Sequence, residues 1–476
     1  MLKTLIAKEI RANILSFRFL ASFALLFVIV TVTSLVLTGD YIRRQDEYSR
    51  RQAELENYLR SYAHFNRIGN ILQPAQPPIP FQTLVRGLAA EVNLENFDND
   101  PLPVMFPLID LTFIVTILVS LIALILSYDA VCGEKEDGTM KLMLANGLAR
   151  SKIILGKFAG GMLTLLVPFL TSIAASMLIV LLHPRVSWTG ADWGALGLVV
   201  LGAALYVAVF YLIGILISSI HRSSPSSIMT SLFVWVLLVL VVPNLSPYVA
   251  SFLSPAPSRI KVAREIDRLS DVERDDLGRK LSGENRVEVL KQYPVLEERL
   301  TEAEVKKRVA EDPVYRKAYE ALRAASQQGW DEANRIQGAK TNVLREDLRQ
   351  KEEAQTGLAR AISMASPMAD FTYLASELSS TGMRNMLHVR RLAEVWSRVF
   401  YSEYQPKKMA EMKAKDPTGD LWNTAVDMTD SPRFRYTQEG LGGRLTATLD
   451  AFGVLVVYIS ALFAAAYVAF IRYDVR

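Results

Sequence analysis

Apolar residues dominate six stretches of the chain, 17–38, 106–128, 158–182, 194–219, 228–251 and 449–471. Each is close to the roughly 20 residues a helix needs to cross the hydrocarbon core of a bilayer. The pattern predicts an all-α polytopic membrane protein with six transmembrane helices. Charge is nearly absent within the runs. Arg18 opens the first, Asp110 lies near one end of the second, Asp450 opens the sixth, and the third to fifth carry none. The first run could pass for a signal peptide. Phe19–Leu37 is longer than a usual signal core and lacks a small-residue cleavage site, so it reads as a retained helix.

The polar positions between the runs set the orientation. Lys3, Lys8 and Arg11 precede the first span, and Lys135, Lys141, Arg150, Lys152 and Lys157 lie between the second and third. Arg222 lies between the fourth and fifth, and Arg472 and Arg476 follow the sixth; the opposite short loop holds only Arg185. Basic residues of short loops stay in the cytoplasm. Both termini (1–16 and 472–476) and the loop 129–157 are therefore expected there, and 39–105 and 252–448 outside. Long translocated segments escape the charge rule, so their own charges do not conflict. Residues 41–66 continue the first span with Leu55, Tyr58, Leu59, Tyr62 and Phe65 on one helical face, which would carry a helix about 40 Å beyond the membrane. The proline-rich piece 73–80 then forces an extended turn. The segment 252–448 is dense in both signs of charge to about residue 360, which favours a mainly helical extracytoplasmic domain of exposed helices. A narrow seam (Leu344, Leu348, Leu358, Ile362) and a broader one (Met383, Met386, Leu387, Leu392, Val395, Trp396, Val399) read first as that domain's own core; the broader one would also suit a partner helix or the membrane surface.

Within the spans, Gly160, Gly161, Gly194, Gly197, Gly202 and Gly214 suit close helix packing. Pro168 and Pro243 are expected to kink or end their helices. The 476 residues are 51% hydrophobic with a net charge of +4, and basic residues are not gathered beside aromatics, so no nucleic-acid partner is expected. Cys132 is the single cysteine, and His64, His183, His221 and His388 stand far apart, so no metal site is expected. Ion-coupled carriers need ionisable groups at membrane depth. Their scarcity points to energy from a partner. No phosphate-binding glycine motif is present: Gly156-Lys157 lacks the upstream glycine and is followed by Phe158.

The most informative stretch is Glu134-Lys135-Glu136-Asp137-Gly138-Thr139-Met140-Lys141-Leu142-Met143-Leu144, between the second and third spans. Glu134, Glu136 and Asp137 sit where a helix N-terminus favours negative charge, with Lys141 further along. Thr139 after Gly138 can cap a helix. Leu142, Met143 and Leu144 would form an apolar knob for a partner. A short, charged, helix-forming loop joining two spans suits the transfer of force between a cytosolic machine and the bilayer.

Residues 107–111 (Pro-Leu-Ile-Asp-Leu), 128–139, Leu142-Met143-Leu144-Ala145-Asn146, Arg150, Ile154 and Gly156-Lys157 resemble ABC-2 type permeases, in particular the branch with a large extracytoplasmic insert before the last span. Ser366-Pro367, Ser380-Thr381-Gly382 and Pro77-Pro78 fit the same branch. The resemblance implies that the 129–157 loop holds a coupling helix (Glu134, Glu136, Asp137, Gly138, Thr139, Lys141, Leu142, Met143, Leu144) docked on an ABC ATPase subunit. That subunit would bind ATP and Mg, leaving this chain without a cofactor or catalytic residue. It further implies an amphipathic N-terminal helix at the membrane interface. Leu2–Leu15 fits, with Leu5, Ile6, Ile10 and Ile14 apolar and Lys3, Lys8 and Arg11 polar. Asn146 and Gly147 depart from the proline-containing turn of relatives. Symmetric ATPase dimers imply a second permease copy, identical or paralogous. The expectation is the permease subunit of an exporter in the inner (cytoplasmic) membrane. An alternative is a force transmitter that moves no substrate and acts on an envelope partner through its external domain. An intramembrane enzyme is disfavoured, since convergent acid, base or metal residues are missing at membrane depth.

Overall fold

The computed structural model describes residues 2–61, 63–65, 68, 72, 74–87, 109–145, 149–298, 300–415 and 424–472. The expected turn at Asn146 and Gly147, residues 88–105 of the first outer loop, Pro107, Leu108, Tyr62 and the tail from 473 lie outside these. Among the described residues the structure is helical, with one isolated antiparallel bridge, Ala63 to Val426. Six helices are long and apolar enough to cross a membrane: α2 (Phe17–Ser61), α3 (Leu111–Glu136), α5 (Arg150–Leu181), α6 (Gly190–Ile220), α7 (Ser224–Leu253) and α16 (Leu449–Ile471). A short α1 (Leu2–Ile14) precedes them and α4 (Thr139–Ala145) follows α3.

The apolar windows of α6 and α3 are 72% and 67% buried, whereas those of α7 and α16 are each 17% buried. Hence α3 and α6 form the centre, and α7 and α16 turn most of their apolar surface outward, as lipid-facing helices do. The glycine reading holds where helices meet. A Cβ at Gly161 would fall 1.7 Å from the Tyr211 hydroxyl, and one at Gly214 1.9 Å from Ser127 Oγ. Gly197 faces open space and is not part of this packing.

Helix ends follow local chemistry. Asp110 caps α3, accepting from the backbone N–H groups of Phe113 (2.8 Å) and Arg86 (2.9 Å). Thr189 and Asp192 form a reciprocal capping box that starts α6. Neither proline ends its helix. Pro168 lies inside α5, and Pro243 follows a π-helical segment, Val236–Val241, that lets α7 continue. A second π segment, Ile114–Val119, lies in α3. In each, a polar side chain from another element donates to a backbone carbonyl: Tyr206 to Thr116 at 2.8 Å, and Ser366 to Leu238.

The chain divides into two compact units, 1–243 with 363–476, and 244–362. The segment 252–448 is therefore not one body. Within the first unit, α12 (Pro367–Leu378) packs among the spans. Phe371 stacks on Tyr206 of α6 at 5.4 Å, Leu374 fills the space left by Gly202, and Tyr458 of α16 donates to the Ala365 carbonyl at 2.9 Å. These three partners lie inside the expected spans, whereas Arg444, which donates to the Leu378 carbonyl at 2.8 Å, lies just before the sixth. Most of α12 is thereby buried, because an apolar helix of this kind buries itself most completely between helices.

Also in the first unit, α2 runs unbroken to Ser61, about 30 Å beyond Asp40 by helical rise. Its end joins a second small core. Leu59, Ala63, Phe65, Ile68 and Leu72 pack with Trp396, Phe400 and Met428. The seam on α13 (Met383–Arg398) therefore divides: Trp396 is buried there, whereas Met383, Met386, Leu387 and Val395 are exposed.

The second unit is built around α11 (Pro313–Ser363), a helix of 51 residues. Against it lies α9 (Arg274–Gln292), reached from α8 (Arg259–Asp267) through a π segment. Gly278 lies under the Trp330 ring, Gly329 meets Ser282, and Ser282 bonds Ser326 at 2.6 Å. Arg349 pairs with both Glu346 and Glu353, and Lys351 with Asp347, supporting a solvated helix at the expected three- and four-residue spacing.

Candidate functional site

The charged loop forms two short helical turns. Residues 132–136 end α3, Asp137 caps that end, Gly138 adopts φ +74°, and α4 follows. A left-handed residue at this point favours glycine and lets the chain break and restart the helix.

The first turn is held from several sides. Ser218 of α6 accepts the backbone N–H groups of Val131 and Cys132, both at 2.9 Å. Lys135 Nζ donates to the Ser219 carbonyl at 2.6 Å and that of His221 at 3.3 Å, at the C-terminal end of α6. Glu136 accepts the Ser224 backbone N–H at 3.0 Å and the Ser224 hydroxyl at 2.5 Å, at the start of α7. A cation on a helix C-terminus and an anion on the next N-terminus match both dipoles. Consecutive residues thus bracket the α6–α7 turn. Glu134 Oε1 lies 2.9 Å from Lys8 Nζ and 2.9 Å from Lys157 Nζ, and Lys157 also meets Glu9 at 3.0 Å. Burial alone would lower the Lys8 pKa; the hydrogen bond and charge of Glu134, with the charge of Glu9, turn its net direction upward. Arg18 binds Asp129 at 2.6 Å and covers the Tyr128 ring.

The second turn is different. Met140 is fully buried, and Met143 and Leu144 pack partly against the main core. Asp137, Gly138, Thr139 and Lys141 are exposed, and Leu142 is 66% exposed. The expected apolar knob is therefore Leu142 alone, since a helix of this length shows only one face outward. Glu134, by contrast, is mostly buried, with Oε1 engaged by Lys8 and Lys157 inside the chain. Lys3, Lys8 and Arg11 lie on the exposed side of α1, but α1 is also packed on α5, with Leu5 buried against Gly156 and half-buried Glu9 beside Gly160.

Sequence reading missed Glu9, Ser218 and Ser224 as members of this site. Only the i, i+1 charge alternation at 134–136 hinted that separate helix ends were being capped. Cys132 is buried, its thiol donating to the Tyr128 carbonyl at 3.3 Å. Among the described residues no group of His, Cys, Asp or Glu is placed to hold a metal ion.

A sequence model of the family described as ABC-2 family transporter protein matches residues 3–475. The chain belongs to that family. Two relatives are each named probable ABC transporter permease protein NosY. The one from Stutzerimonas stutzeri is 35% identical over 131 residues, covering 28% of this chain and 48% of the relative. The one from Pseudomonas aeruginosa is 35% identical over 132 residues, with the same coverage. The chain spans about half the length of the curated relatives it matches. Family and six apolar helices together make this a multi-pass membrane protein.

Proposed function

We propose that the chain is the permease subunit of an ATP-driven exporter, coupled through the loop 137–142 to a separate ABC ATPase that binds ATP and Mg. The carrying observation is the division of labour in the loop. Its first turn is fastened to α1, α5, α6 and α7, and its second presents Leu142 together with exposed Thr139 and Lys141. A load applied at an exposed tip moves the spans only if the base is fixed to them. Family membership supports the same reading.

The inner ends also gather on one side of the first unit: Lys8 meets Glu134, Glu136 meets Ser224, and Arg150 donates to the Phe470 carbonyl at 3.0 Å. That Lys8 and Arg150 fall at the same end supports cytosolic termini in the cytoplasmic membrane. It also supports an interfacial place for α1, with Lys3, Lys8 and Arg11 toward the headgroups. A second permease copy, identical or paralogous, would complete the path. A photocrosslinker at Leu142, in native membranes, should capture an ATPase bearing a phosphate-binding loop, and one at buried Cys132 should not. No ATPase at Leu142 would overturn the reading. In a Cys132→Ser background, single cysteines near 60 and 300 should react with an impermeant maleimide on intact cells; reaction only after lysis reverses the orientation.

The independently compact unit 244–362 favours a second reading, a transmitter acting on an envelope partner without moving cargo. Deleting residues 260–360 should leave partial transport if the first reading holds. Loss of the biological effect with continuing ATP turnover would favour the second.

A further inference from the structure

Glu9, Lys157, Glu134 and Lys8 form a chain of alternating charge, two negative and two positive, across three elements. Lys8 and Glu9 belong to α1, Glu134 to the loop and Lys157 to α5. Lys157 is its centre, with a side chain only 2% exposed, against 51% for Lys8. An exposed pair contributes little to holding two elements together. A buried ammonium between two carboxylates contributes far more, because without it the two negative charges face each other in a medium that screens poorly. The backbones are built for the contact. A Cβ at Gly160 would stand 2.7 Å from Glu9 Cβ, and one at Gly156 3.1 Å from Leu5 Cβ, so α1 lies flush on α5 beside Lys157.

We propose that Lys157 is a positioning residue that locks α1 and the loop into one lever on α5. A displacement imposed at Leu142 is then delivered to the N-terminal helix and the third span together. The second half of this statement rests on the coupling reading above; the lock itself does not.

The experiment uses the full chain in nanodiscs in a Cys132→Ser background, with nitroxides at Ala7→Cys and Ala145→Cys on exposed positions of α1 and α4. The parent should give one narrow distance distribution, unchanged when the ATPase subunit and ATP are added. Lys157→Met should broaden and split it even without ATPase, and Lys157→Arg should restore it. With ATPase present, Lys157→Met should leave the Leu142 crosslink intact while permease-dependent stimulation of ATP turnover falls about tenfold. Should Lys157→Met fail to insert, Glu9→Gln cuts one link and should give partial broadening. A narrow distribution in the cut variant, or a parent distance that shifts with nucleotide as much as the variant's, would sink the lock. A lock that holds while no ATPase is captured at Leu142 would refute the coupling reading alone.

Discussion

The two turns of the loop use similar residues for opposite ends. In residues 132–136 every charged side chain is spent within the molecule: Glu134 on two lysines, Lys135 on the end of α6, Glu136 on the start of α7. In Thr139–Ala145 the apolar residues do the anchoring, through Met140, and the polar ones with Leu142 are left outward. The difference teaches that charge density in a loop between two spans need not mark a docking face. Here charge marks the joints, and the docking candidate is Leu142, the large apolar side chain left exposed among the described residues of the second turn.

The sharpest way to break this contrast is Glu134→Lys. It would set three ammonium groups together around a part-buried position and should destabilise the folded chain by about 3 kcal/mol, measured by denaturant unfolding in detergent. A stability equal to the parent's would mean the first turn is not anchored as described. Next, Leu142→Asp should leave stability within about 0.5 kcal/mol yet weaken ATPase association by about 2 kcal/mol, read by titration of purified subunits. Equal association would move the docking face elsewhere. Ser218→Ala strands two backbone N–H groups and should cost about 2 kcal/mol without changing the surface of the tip. Its ATPase affinity should therefore match the parent's when measured under folded conditions. The smallest effect is expected from Lys141→Ala, an exposed rim charge. It should slow association slightly and only at low salt, visible in stopped-flow kinetics at two ionic strengths.

Much of the architecture could be read from the chain because bilayer crossing is a one-dimensional constraint. About 20 apolar residues in a row have few alternatives, and each of the six runs overlaps one of the six long apolar helices found among the described residues. The charged repeat of 313–363 is equally direct, since i, i+4 pairing is a property of one helix. The burial of α12 was less visible. Twelve residues are too short to announce burial among the spans, and Tyr206, Gly202 and Tyr458, distant in sequence, give Phe371, Leu374 and Ala365 their places.

The candidate site shows the same limit. Sequence determined that residues 134–144 join two spans, that Thr139 after Gly138 can begin or cap a helix there, and that acidic and apolar side chains lie close together. It could not assign them, because a carboxylate suits a partner protein, a helix N-terminus or a lysine equally well. Tertiary structure decided among these by distance. Lys8 and Lys157, 126 and 23 positions away from Glu134 along the chain, arrive within 2.9 Å of one oxygen, and at that range in a poorly screened site the internal partner wins. Leu142 was left outward for the complementary reason: Met140, two residues earlier on a helix of seven, already faces the core.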